Sequence, residues 1–112
     1  MIRRALAVLA AVAVLAGCGS IRTYRFALDR PAGAMSPARP AVFLEGQLPS
    51  TNMRELAIVE AVGTGNKASA ETVIGAMQDE ATRWGASAIV RVKIDCAYSQ
   101  CHGWGVAVQF VP

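Results

Sequence analysis

The apolar residues between Ser69 and Phe110 change period once, and that change leaves few folds open. Ala70, Val73, Ile74, Met77, Ala81 and Trp84 recur at helical spacing, with Glu71, Gln78, Asp79 and Arg83 elsewhere around the turn. Beyond Gly85 the period becomes two: Val90, Val92, Ile94 and Cys96 alternate with Arg91, Lys93 and Asp95, and Trp104, Val106, Val108 and Phe110 repeat the alternation. One amphipathic helix covers one face of one sheet. The chain is therefore predicted to be α+β, a small two-layer domain with a single helix packed on a mostly antiparallel or mixed sheet, the other face wetter.

Two strands are predicted upstream, giving the order strand, strand, helix, strand, strand. Val42 to Leu48 is a short apolar-rich segment closed by Pro49-Ser50, and "ELAIVEAV" from Glu55 to Val62 is apolar at nearly every position, as a central strand covered on both faces would be. Ser69 is placed to cap the helix, Glu71 lies in its first turn, Gly85 follows its end, and Asp79 and Arg83 are spaced to pair.

The first residues carry an address. Arg3 and Arg4 precede an uninterrupted apolar run from Ala5 to Ala16, and small Ala16-Gly17 lead into Cys18. This is the pattern of a secretory signal, and the run falls short of the roughly 20 residues of a membrane span. Residues 15 to 18, "LAGC", resemble the lipobox of bacterial lipoproteins. That resemblance implies removal of residues 1–17 and leaves Cys18 as the first residue, bearing a diacylglyceryl thioether and an acylated amine (a palmitate-type lipid anchor). The alternative is an ordinary secreted protein in which Cys18 stands unmodified at the cleavage site. Gly19 rather than aspartate after the cysteine implies, within the lipoprotein family, the outer membrane facing the periplasm. Two acyl chains hold a protein stably where one does not.

Charge follows the same division. The whole chain is +3, but without Arg3 and Arg4 nine basic residues face eight acidic ones. Residues 42–112, read as the single domain, hold five basic and seven acidic residues, and no basic patch with interleaved aromatics points to nucleic acid. Residues 18–41, with Pro31, Pro37, Pro40 and Gly33, read as the lipidated cysteine and a flexible tether, although "YRFAL" (Tyr24 to Leu28) alternates like an edge strand.

The stretch "TRWGASAIVRVKIDC" leading to "GWGVAVQF" resembles the small α+β domains typified by RcsF and YbjQ, through Ala81, Gly85, Ala86, Ala88, Ile89 and Val90. The resemblance spans about Leu56 to Phe110. It implies an envelope lipoprotein working by protein contact, in the RcsF-like case as an envelope-stress sensor, with metal binding attributed to the YbjQ-like members.

Cys96 and Cys101 bracket "AYSQ" between the last two strands. In an exported small domain such a pair is predicted to form a disulfide across a four-residue hairpin loop. The alternative is a metal site from Cys96, Cys101 and His102, but a closed zinc site needs four ligands and the chain has one histidine. "VGTGNKAS" could cradle a phosphate at the helix start, yet it lacks P-loop spacing and reads as a turn. Trp84 and Trp104 read as core and core edge. No nucleophile and base are placed together, so the expectation is a non-catalytic module with no cofactor and no small-molecule substrate, touching lipid through Cys18 and a protein partner in the envelope.

Overall fold

A computed structural model of the chain describes residues 18–33, 39–49 and 51–111. The predicted signal, residues 1–17, and residues 34–38 of the predicted tether lie outside the described residues. Among the described residues, five strands and one helix follow in the order β1 (Gly19–Ala27), β2 (Ala41–Leu44), β3 (Met53–Gly65), α1 (Ala70–Arg83), β4 (Ala88–Ala97) and β5 (Gln100–Phe110). The fold is α+β, one helix on a mixed five-stranded sheet, as the change of period requires. The sheet order is β1-β3-β5-β4-β2. All neighbours are antiparallel except β2 and β4. Strands β3 and β4 both run opposite to β5, so they are parallel to each other, and α1 crosses over the strand between them.

The helix ends are built from the residues that its local sequence supplies. Ser69 is the N-cap, its Oγ accepting from the Thr72 N–H at 3.2 Å. At the other end Gly85 takes φ 71, and the N–H groups of Gly85 and Ala86 return to Thr82 and Ala81. Asp79 does not pair with Arg83. Its partner is Arg39 at 2.8 Å, while Arg83 turns to Glu80 at 2.9 Å.

Val73, Met77 and Ala81 of α1 pack on Leu56, Val59 and Ala61 of β3, Ile89 and Val92 of β4, and Cys101 and Ala107 of β5. The helix can come this close because β5 presents small residues beneath it. A Cβ at Gly103 would lie 2.6 to 2.9 Å from atoms of Val73, Ile94 and Met77.

Strand β4 departs from simple alternation. Arg91 adopts φ 55, and the register with β5 shifts between Val90 and Lys93. This bulge turns Val90 to the face away from the helix, where it joins Ala88 and Val108 in a second cluster edged by Phe43, Met53, Val106 and Phe110. Val90 and Val92 therefore do not share a face, contrary to the expectation. Strand β3 is not covered on both faces either, since Ile58 remains 39 % exposed.

Part of the predicted tether is strand. Gly19 to Ala27 pair in unbroken register with Gly65 to Ala57 of β3, so the edge strand starts at Gly19 and is longer than "YRFAL". Nearly all of β1 is exposed, and backbone pairing to the long β3 edge stands in for burial. One side chain adds a latch: Arg25 donates to Glu80 at 3.0 Å and its guanidinium lies 4.6 Å from the Trp84 ring centroid. Glu80 is nearly buried and sits between Arg25 and Arg83. The chain after β1 is also held, through Ala32 N–H to Trp84 O and Ala41 N–H to Ser87 O. Among the described residues, 19–27, 32 and 39–41 belong to the folded domain, and β2 begins at Ala41 and ends by Leu44, short of the predicted Leu48.

Candidate functional site

Cys18 is exposed and immediately precedes β1, so the sheet begins directly after the thiol. Its carbonyl accepts from the Asn66 N–H at 3.3 Å, and Gly19 is paired with Gly65. Gly65 has φ 60, and a Cβ there would sit 1.9 Å from the Cys18 oxygen. Only glycine satisfies both the left-handed backbone and this approach. Ser20 and Thr64 close the same corner through a hydroxyl contact of 2.9 Å.

Cys96 and Cys101 face each other across β4 and β5 and form a disulfide with a Cα–Cα distance of 4.1 Å. The loop is tighter than expected, because Ala97 pairs with Gln100 and only Tyr98 and Ser99 make the turn. Tyr98 carries the positive φ of 57 that two-residue hairpin turns place at their first central position. The Ser99 carbonyl accepts from the Gly65 N–H at 3.0 Å, tying the hairpin tip to the corner that holds Cys18.

The structure does not bring Cys96, Cys101 and His102 together as ligands. The two sulfurs are bonded to each other, and Cys101 points into the core under the helix while His102, its neighbour on the strand, points to the opposite face. There the His102 Nε2 meets Glu60 Oε1, and the imidazole lies against Trp104 with ring centroids 4.8 Å apart. Among the described residues no group of three or more His, Cys, Asp or Glu side chains is arranged to hold a metal. "VGTGNKAS" is a turn whose amides bond within the protein: those at Lys67, Ala68 and Ser69 donate to the Thr64, Gly65 and Lys67 carbonyls, and those at Gly65 and Asn66 to Ser99 and Cys18.

The face opposite α1 has no described element lying over it. Register aligns Tyr24, Glu60, Trp104 and Lys93 in one row across four strands, and Phe26, Ile58, Val106 and Val90 in the next. Phe26 is 67 % and Tyr24 50 % exposed, and Lys93 Nζ stands 5.6 Å from the Trp104 ring centroid. Trp84 is core, as expected, and Trp104 is half-buried on this open face.

At the far end of β1, Asp29 accepts from the Arg30 N–H and from Arg54 at 2.8 Å, which hold its carboxyl below the ordinary value. No helix among the described residues is long and apolar enough to cross a membrane. The chain matches no protein-family model, no curated protein and no solved structure.

Tyr98, the Gly65 contact and the open aromatic face were not singled out from sequence. The first had a usable signal, an aromatic ring between two cysteines too close for a long loop. The other two depend on register, which sequence does not print.

Proposed function

We propose that the chain is a bacterial envelope lipoprotein, anchored through an acylated Cys18 in the outer membrane facing the periplasm, whose domain acts without catalysis by contact with a partner protein. The observation that carries this reading is "LAGC" directly after a basic start and a short apolar run. The disulfide between Cys96 and Cys101 supports an oxidising compartment. Cys18 is exposed at the edge of the domain, which supports an attachment point there. The open sheet face, with Tyr24, Phe26 and Ile58 exposed, supports a contact role, since apolar side chains grouped on one surface mark interaction sites more often than isolated ones.

Labelling with palmitate in a bacterial host tests the reading. The full chain incorporates label and the Cys18→Ala chain does not, and the latter accumulates with residues 1–17 attached. Normal processing of Cys18→Ala without label would falsify the anchor.

A further inference from the structure

The β4–β5 turn carries a tyrosine that the domain does not use. Tyr98 is fully exposed, at 109 % of its reference area, and its backbone lies in the left-handed region at φ 57, where glycine or asparagine is the favoured residue. Folding gains no burial from this ring, and the backbone is less comfortable for carrying it. The turn is nevertheless firmly held: the Cys96–Cys101 disulfide closes the hairpin behind it, and the Gly65 N–H donates to Ser99 O at its tip.

Gly65 also pairs with Gly19 and lies against the Cys18 carbonyl. From Cys18 across Gly65 to the turn is thus two strand spacings, about 10 Å. The exposed Lys67 belongs to the loop between them. Because β1 begins immediately after Cys18, no free linker separates the thiol from this corner. Chains attached to that sulfur would bring the corner, and not another part of the domain, to the lipid.

We propose that this corner is a second, non-covalent membrane contact, with the Tyr98 ring seated at headgroup level of a lipid surface and Lys67 beside anionic headgroups. The proposal rests on the reading of Cys18 as the lipidated residue. A phenol has an apolar body and a polar tip, which suits the interface, and a lysine within a Debye length of anionic lipid is attracted to it. The disulfide is then the stiffener of a membrane-facing tip. The strands lead away from the surface, and Asn52, at the opposite end of β3, stands about 40 Å from it along the strand.

The test uses the acylated chain purified from bacterial membranes and placed in phosphatidylcholine–phosphatidylglycerol vesicles carrying a shallow doxyl quencher. Tryptophan is introduced by Tyr98→Trp or, as the distant control, Asn52→Trp; both sites are exposed, so neither change touches the core. Trp84 and Trp104 are common to the two variants. The proposal predicts several-fold stronger quenching of the added tryptophan in Tyr98→Trp than in Asn52→Trp. In the unsubstituted chain, lipid-bound gadolinium should broaden the amides of Lys67 and Tyr98 and spare those near Asn52. Equal quenching at both sites with Cys18 acylated overturns the tip contact and leaves the anchor standing. Strong quenching of Trp104 in Asn52→Trp means that the open sheet face lies on the lipid, which also overturns it. An unmodified Cys18 by mass overturns both the anchor and the tip.

Discussion

Arg25 holds β1 to the rest of the domain, and its removal has a calculable effect. In Arg25→Ala the hydrogen-bonded ion pair to Glu80 is lost, together with the guanidinium over Trp84. A hydrogen bond between charged groups contributes about 1.5 to 3 kcal/mol, but Arg25 is 43 % exposed and water screens its share, so about 1 to 1.5 kcal/mol is appropriate. A partly exposed cation–π contact adds about 0.5 to 1 kcal/mol. Glu80 is not stranded, since Arg83 remains 2.9 Å from its other oxygen. The expected loss is therefore about 2 kcal/mol, roughly a 30-fold change in an equilibrium. Because β1 is an edge strand with little burial, this loss should appear first as local opening. Amide exchange across residues 19–27 should accelerate by roughly that 30-fold while amides of α1 and β5 change much less. Arg25→Lys should recover only part of the protection, lacking the planar group that stacks on Trp84. Unchanged exchange across 19–27 in Arg25→Ala would refute the latch. Fast exchange there already in the unsubstituted chain would restore the flexible tether.

Replacing both Cys96 and Cys101 with alanine, or reducing them, should lower unfolding free energy by about 2 kcal/mol on the loop-entropy estimate for so short a ring, read by urea denaturation. Gly103→Ala places a methyl into Val73, Ile94 and Met77 and should cost about 1 to 3 kcal/mol by overpacking, read the same way. Gly65→Ala forces a left-handed alanine against the Cys18 carbonyl, so the pairing of Gly19 with Gly65 should be lost in the amide spectrum while the β4–β5 disulfide persists. The depressed Asp29 carboxyl contributes stability that is complete above its unfolded-state value and is lost as pH falls through its lower folded value. Asp29→Asn should therefore flatten the acid limb of the stability curve below about pH 4, as measured by denaturation across that range.

What the sequence made legible was local. The helix was readable because its period, the Ser69 cap and Gly85 all lie within a few residues of one another, and the change of period beyond Gly85 was enough for the two-layer class. Register was not readable. Arg91 at positive φ has no sequence mark, so the bulge that sends Val90 to the far face could not be anticipated from alternation. Strand β1 was mostly missed because exposed residues paired through their backbones carry little hydrophobic signal, and its latch, Arg25 to Glu80, spans most of the domain in sequence. The disulfide pair was legible from the spacing together with the expected export, but the two-residue turn was not, since positive φ at a tyrosine runs against residue preference.

The most direct test is the mass of the amino-terminal peptide from protein isolated out of bacterial membranes. The account predicts a chain beginning at Cys18, heavier by a diacylglyceryl group and an amide-linked acyl chain. A peptide that keeps residues 1–17, or one that begins at Cys18 with an unmodified thiol, contradicts it.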